Sequence, residues 1–182
     1  STPLYSSAAS DVYKRQTRKL SERSKPVLDK WQQEFDTWAK ANPTQKALFD
    51  RLQAGDTPKE LVASLPNFEP GTEVSTRAAS GKVLNAIASI MPELWGGSAD
   101  LAESNNTTIA GAKSFVPAEH STHEWSGDKY GRVLHFGIRE HAMGAILNGI
   151  ALHGKTRSYG GTFLIFSDYM RPAVRLAALM KV

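Results

Sequence analysis

Cysteine is absent from the 182 residues of this chain, so the sequence has neither a disulfide framework nor a thiolate metal site. It also lacks an apolar run long enough to cross a bilayer and an N-terminal stretch with the apolar core of a secretory signal. The hydrophobic and charged fractions, 41% and 22%, are those of an ordinary globular protein. These absences predict a cytoplasmic protein without a membrane partner.

A basic surface spread along the chain is also missing. The net charge of +4 comes from residues 1–31, which hold seven Lys or Arg against three Asp or Glu; the rest is neutral. No nucleic-acid recognition motif accompanies this basic head, so we expect no nucleic-acid partner. The five histidines do not have metal-ligand spacing, and His120 and His123 lie in a polar stretch without a clear third ligand. We therefore predict no metal ligands.

The first 73 residues divide into three predicted segments. Residues 1–16, STPLYSSAASDVYKRQ, show neither a helical period nor strand alternation and resemble adapter-derived read-through, so we interpret them as non-native. Residues 17–64 show helical patterns. Residues 65–73 contain two prolines and a glycine, which is typical of a linker.

The helical segment contains three predicted helices. An apolar stripe over residues 26–41 predicts an amphipathic helix whose aromatic side chains pack in a core. Asn42-Pro43 and Gly55 bound a second helix, and the run KELVASL predicts a short third one. The stripe consists of Leu28, Trp31, Phe35 and Trp38.

Helix and strand patterns alternate over residues 74–182, which predicts an α/β domain with a parallel sheet. Ser75 is expected to cap the first helix. The predicted strands are ELWGGSADL, VLHFG and TRSYGGTF, and helices over 138–153 and over YMRPAVRLAALMK follow the last two. The polar stretch 102–131 is expected to carry short helices or function. Since the sequence stops within an apolar pattern, we expect this domain to be truncated at its C-terminus.

The predicted strands end in chemically distinctive residues. Ligands of parallel α/β sheets bind beyond the carboxyl ends of the strands. The three strands lead into GGSAD, FGIRE and GGTFLIF, so Asp100, Glu140 and the pair Phe163 and Phe166 are expected at one edge of the sheet.

Glu140 has a structural and a chemical interpretation. A carboxylate in the first turn of a helix gains about 0.3–1 kcal/mol from the helix dipole. An apolar surround would disfavour its charged form and favour a hydrogen bond to a heteroaromatic ring nitrogen. Gly144 and Gly149 follow, and each costs a helix about 1 kcal/mol relative to Ala, which indicates close backbone packing. The expected surround is Phe136, Ile138, Ala142, Met143 and Ile146.

Two further features also leave alternatives open. Phe163, Phe166 and Tyr169 recur every three residues, either as one face of a core helix or as an aromatic wall for a flat heterocycle. Arg77, at a helix start, is either a solvated arginine or a bidentate ligand for phosphate.

Three stretches resemble the transketolase family of thiamine diphosphate enzymes. They are ELWGGSADLAESNNT, FGIREHAMGAILNGIALHG and YGGTFLIFSDYMRPAVRLAALM, in this order. The resemblance runs from residue 74 to residue 180; residues 26–73 more weakly resemble the end of the family's diphosphate-binding domain and its linker. It implies that residues 74–182 form a truncated pyrimidine-binding domain of the thiamine diphosphate-binding fold.

The resemblance also implies a reaction. In the family the glutamate of GIREH, Glu140 here, hydrogen-bonds N1′ of the cofactor's aminopyrimidine and favours the imino tautomer, whose N4′ removes the thiazolium C2 proton. The resulting ylide transfers a two-carbon glycolaldehyde unit from a ketose phosphate to an aldose phosphate in the pentose phosphate pathway.

Six further positions match the family's site. Three aromatic rings would line the cofactor pocket, an aspartate would lie near the cofactor and the dimer contact, and two residues would bind the sugar phosphate. These are Phe166, which would stack on the aminopyrimidine, Phe163 and Tyr169; Asp100; and Arg77 and Ser104.

The family's Gly-Asp-Gly motif, which holds Mg²⁺ (or Ca²⁺) and the diphosphate, is missing from the sequence. The family builds its site at the interface of a homodimer, so we expect the metal in a part of the protein outside this chain. The chain alone is expected to be inactive. A sister enzyme such as dihydroxyacetone synthase, and a non-catalytic pyrimidine-domain module, stay open as alternatives.

Overall fold

A computed structural model describes residues 5–182, with side chains from residue 11 onwards. By contact density the chain divides into two compact units, of which the first ends at Arg51 and the second is Leu52–Val182. The two units are defined by compactness alone and do not test the four predicted segments. Those segments, 1–16, 17–64, 65–73 and 74–182, therefore stay predictions.

Three helices lie within residues 5–54, and the third continues past Arg51 into the second unit. Helix α1 spans Tyr5–Arg18, where no period was predicted; α2 spans Leu20–Ala41 and α3 Pro43–Ala54. Helix α2 begins six residues before the predicted start and accommodates Pro26 within it. Gly55, with φ +76°, follows the end of α3 as expected.

The apolar stripe of α2 forms, but it is not a core. Trp31 stacks on Phe35 with ring centroids 5.2 Å apart, and Phe35 lies 5.6 Å from Trp38. Trp31 is nevertheless 51% exposed, and α2 contains no buried residue. The prediction of core packing is therefore wrong for the stripe as a whole, because its rings pack mainly on one another along one helix. From α3, Phe49 reaches Phe35 with ring centroids 5.3 Å apart but leaves Trp31 and Trp38 exposed.

The second unit contains the alternating elements. Ser75 caps its first helix, with its Oγ accepting a hydrogen bond from Ala78 N at 3.4 Å, as predicted. The predicted helix over KELVASL does not form, and residues 59–64 make turns instead. The elements are α4 Thr76–Ile90, β1 Leu94–Ser98, α5 Ala102–Asn105, β2 Val133–His135, α6 Glu140–His153, β3 Arg157–Gly161 and α7 Ser167–Met180, with 3₁₀ turns at Ala118–His120 and Leu164–Phe166.

The sheet is parallel, as predicted, with strand order β2-β1-β3. Successive side chains of a strand point to opposite faces. Accordingly Val133 packs in a cluster with Ala88 of α4, whereas its neighbour Leu134 packs against the cluster of Phe136 and Met143 on the side of α6 and α7. Helices therefore cover both faces, as parallel sheets require.

Helices α6 and α7 pack closely at one glycine. A Cβ at Gly144 would lie 2.8 Å from the Cβ of Ala173, whereas a Cβ at Gly149 would have no atom within 4 Å. The prediction of close packing is confirmed at Gly144 and wrong at Gly149.

Among residues 5–182, no helix combines the length and hydrophobicity that a bilayer crossing demands.

Candidate active site

The carboxyl ends of the three strands meet at one edge of the sheet. Ser98 at the end of β1 is in register with His135 of β2 and with Gly161 of β3. The chain leaves these ends toward Asp100, Glu140 and Phe163 respectively, so the expected shared edge is present.

Glu140 is the first residue of α6 and is only 8% exposed. The helix entry places it there: Gly137 adopts φ +64°, and Arg139 N–H donates to the Gly137 carbonyl at 2.8 Å. The Arg139 guanidinium donates to the Phe136 carbonyl at 3.2 Å. Within the described part of the chain, no group makes a hydrogen bond or ion pair with the Glu140 carboxylate.

The apolar surround expected for Glu140 forms only on its inner side. Phe136 and Met143 are 6% and 0% exposed, whereas Ile138 is 79% exposed. The inner residues belong to the core between the sheet and α6. Ile138 precedes the helix and lies at the outer rim, so one side of Glu140 remains open.

The open side of Glu140 is an aromatic cleft. Glu140, Phe166 and Tyr169 line this cleft, whose volume is about 690 Å³. The centroids of Phe163 and Phe166 lie 5.8 Å apart, and those of Phe166 and Tyr169 lie 6.0 Å apart. The 3₁₀ turn places residues i and i+3 on the same side, which aligns the rings. Since Tyr169 is 66% exposed, the row is not the face of a core helix.

A second cleft adjoins the first. Arg77, Ser104 and Phe163 line this phosphate-side cleft, whose volume is about 930 Å³. The Arg77 Nη1 donates to the Ser104 carbonyl at 3.4 Å, so the two residues predicted to share a phosphate lie together. Phe163 lines the second cleft and Phe166 the first. The stacked pair therefore forms the boundary between the two clefts.

Asp100 is the one predicted site residue that lines neither cleft. It is exposed and adopts a left-handed conformation with φ +64°, which aspartate tolerates better than most residues. The structure thus places Asp100 at the shared edge without bringing it to Glu140 or to the aromatic rings.

Sequence patterns gave no signal for two polar residues at this edge. Tyr159 of β3 donates from its hydroxyl to the Thr107 carbonyl at 2.7 Å, and burial raises the pKa of Tyr159 to about 12. The Ser98 hydroxyl hydrogen-bonds to three segments that lead to the site. In the described residues, no group of three or more His, Cys, Asp or Glu side chains is arranged to hold a metal ion.

Comparisons with known proteins agree with this architecture. The family described as transketolase, pyrimidine binding domain, matches residues 72–182. The transketolases of Mycobacterium tuberculosis and Mycobacterium leprae are 63% and 61% identical over 167 residues, which are 91% of this chain and 24% of theirs. The chain thus spans about a quarter of the length of these curated relatives.

Solved structures show the same similarity. The transketolase of Pichia stipitis in complex with sedoheptulose-7-phosphate has a TM-score of 0.79 and 40% identity, covering 87% of this chain and 23% of that one. The transketolase of Leishmania mexicana has a TM-score of 0.78 and 36% identity, covering 88% and 23%.

Proposed function

Since the chain belongs to the transketolase family through a pyrimidine-binding domain at residues 72–182, we propose that it forms the pyrimidine side of a transketolase active site. There it supports transfer of a two-carbon glycolaldehyde unit from a ketose phosphate to an aldose phosphate. One observation carries the proposal: Glu140 is 8% exposed as a residue, its carboxylate has no partner in the described chain, and it lines an aromatic cleft.

The residues of the aromatic cleft fit an aminopyrimidine ring. The Glu140 carboxylate makes no hydrogen bond within the described chain, so its oxygens are available to a ligand that donates a hydrogen bond from within the cleft. Phe166 and Tyr169, which line the cleft with Glu140, offer ring faces to a flat heterocycle. These features match the pyrimidine half of thiamine diphosphate, which when bound supplies the electron sink for cleavage of the sugar's carbon–carbon bond.

Each residue of the chain then has a distinct task. With the cofactor bound, Glu140 would hold the ring nitrogen and exchange a proton with it, Phe166 would stack on the ring, and Phe163 and Tyr169 would exclude water. Arg77 donates one guanidinium hydrogen bond to the Ser104 carbonyl. Its remaining donors suit the oxygens of a sugar phosphate.

A second subunit would complete this site. Three large apolar side chains beside the two clefts are highly exposed: Ile138, which lines the aromatic cleft, is 79% exposed, Leu164, which lines the phosphate-side cleft, is 89% exposed, and Ile165, which precedes Phe166 in the sequence, is 74% exposed. Such a rim is typical of a surface that a partner covers. We propose a cytoplasmic homodimer of the pentose phosphate pathway, in which the other subunit contributes the diphosphate site and its Mg²⁺ or Ca²⁺. Asp100 would lie near that dimer contact.

The decisive experiment uses a chimera. The 167 matched residues of this chain replace the corresponding segment of the Mycobacterium tuberculosis transketolase. Glu140→Gln removes proton exchange with little change in shape, and we expect it to lower kcat at least about 100-fold at an unchanged melting temperature. Glu124→Gln, in an exposed loop, serves as the control.

Two results would contradict the proposal. Near-normal turnover by Glu140→Gln would remove the assigned role of this residue. A folded, dimeric and inactive chimera would instead favour a non-catalytic module. We expect the isolated chain to be inactive in either case.

A further inference from the structure

Ser98 occupies a junction between the segments that carry the candidate site. It is the last residue of β1 and is 4% exposed. Its hydroxyl donates to the Gly161 carbonyl at 2.9 Å and accepts hydrogen bonds from Leu101 N at 3.2 Å and from Asn105 Nδ2 at 3.1 Å. A serine hydroxyl has one donor and two acceptor positions, so the hydrogen-bonding capacity of Ser98 is fully used.

Each of the three bonds fixes a different segment of the edge. The bond to Gly161 holds the end of β3, two residues before Phe163. The bond from Leu101 closes the turn that contains Asp100 in its left-handed conformation. The bond from Asn105 holds the last turn of α5.

The bond to α5 leads directly to the phosphate-side cleft. Helix α5 includes Ser104, whose carbonyl accepts the Arg77 hydrogen bond at 3.4 Å. A movement of Asn105 therefore moves the group that orients the Arg77 guanidinium. The Ser98 hydroxyl therefore connects to both the Arg77 side and the Phe163 side of the cleft, although it lines neither of the two clefts.

A buried serine can also stabilise the fold without positioning any residue of the site, and Ser114 is an example of such a serine. It is 3% exposed, and its Oγ lies 2.8 Å from His135 Nε2. That side-chain bond does not involve α5, the Asp100 turn or the end of β3. Ser114 is therefore a matched control, with similar burial and no side-chain link to α5, the Asp100 turn or the end of β3; its bond is to the end of β2, on the side of the aromatic cleft.

We propose that Ser98 is a positioning residue for the phosphate-binding side of the site, acting through Asn105 and Ser104 on Arg77. The inference rests on the proposed function and adds to it a residue that sets selectivity for phosphorylated sugars. No ligand contacts Ser98 itself.

The test measures phosphate selectivity in the chimera, as the ratio of kcat/KM for xylulose 5-phosphate to that for xylulose. Ser98→Ala is expected to lower this ratio about tenfold, mainly by raising KM for the phosphorylated sugar. Ser98→Thr keeps the hydroxyl and should retain more of the ratio. Ser114→Ala should lower the melting temperature without changing the ratio. Asn105→Ala removes one of the three bonds and should lower the ratio less than Ser98→Ala does.

The outcomes separate this inference from the function on which it rests. If Arg77→Ala lowers the ratio whereas Ser98→Ala and Asn105→Ala leave it unchanged, the positioning role is wrong and the function stands. An equal drop in Ser114→Ala would also overturn the role, because any loss of buried bonds would then have the same effect. If Ser98→Ala does not fold, Asn105→Ala alone decides. An inactive parent chimera overturns both proposals.

Discussion

Two glycines of α6 allow the packing of this chain to be tested within one helix. Gly144 and Gly149 occupy interior positions of the same helix, but their surroundings differ. A Cβ at Gly144 would lie 2.8 Å from Ala173 Cβ and 3.2 Å from Met170 Cε, and a Cβ at Gly149 would meet nothing within 4 Å. We expect Gly149→Ala to stabilise the chain and Gly144→Ala to be neutral or destabilising.

The size of the difference follows from these distances. Either substitution gains about 1 kcal/mol of helix propensity. At Gly144 the new methyl group needs about 3.5–4.0 Å from its neighbours. Met170 is flexible and can turn aside, but Ala173 is 2% exposed and carries its Cβ directly on the backbone of α7. The helix itself must move, and overpacking of this kind costs about 1–3 kcal/mol.

The measurement is urea unfolding of the purified chain, followed by circular dichroism. The free energy of unfolding of Gly149→Ala should exceed that of Gly144→Ala by about 1–3 kcal/mol at a common m-value. Equal stabilisation by both substitutions would show that α7 does not approach Gly144 closely. Destabilisation by Gly149→Ala would show that another surface, such as a second copy of the chain, covers that face of α6.

Two further predictions concern the site edge. In the chimera, Arg77→Ala should raise KM for phosphorylated sugars more than it lowers kcat, because phosphate binding contributes equally to the ground and transition states. The control is Arg23→Ala, at an exposed arginine of α2. An unchanged KM for Arg77→Ala would argue against phosphate contact. Burial raises the pKa of Tyr159 from its ordinary value of 10.0 to about 12. The folded chain therefore keeps a proton that the unfolded chain releases, so its stability should fall between about pH 10 and about pH 12. Tyr159→Phe should reduce this fall in urea midpoint, and parallel curves for parent and variant would contradict the assignment.

The parallel sheet and its edge were predictable because they depend on patterns that the backbone dictates. Strands covered on both faces contain apolar or small residues throughout, as LWGGS does in β1. Once three such strands are parallel, their carboxyl ends must share an edge. The location of Glu140 and Phe163 at that edge followed from their places directly after predicted strands.

Two helices were mispredicted for opposite reasons. Helix α1 forms where we predicted no helical period, and its described side chains, residues 11–18, are all exposed, so its formation does not depend on burial of those side chains. KELVASL has suitable spacing, but Val62 is 79% exposed and Leu61 N reaches only the Pro58 carbonyl, at 3.1 Å. Seven residues do not sustain a helix without a surface on which to bury one face.

The side-chain arrangement of the site was less predictable than its location. The spacing of three between Phe163, Phe166 and Tyr169 fits a buried helix face as well as an exposed aromatic row, and exposure decides between them. The role of Ser98 depends on bonds to residues 3, 7 and 63 positions away, and such distant partners leave no local pattern in the sequence.

The position of Glu140 in the fold bears on two interpretations that the sequence left open. A carboxylate that serves only the helix dipole gains about 0.3–1 kcal/mol, and it does so at the surface. Burying a polar group without a hydrogen bond costs about 1–3 kcal/mol, and more when the group is charged. Glu140 is 8% exposed and has no partner among the described residues, but its carboxylate oxygens are not fully enclosed, so it avoids that cost and remains available to a ligand in the cleft. The balance favours a residue whose partner arrives with a ligand, and the adjacent Phe166 and Tyr169 make a planar heterocycle the ligand that fits.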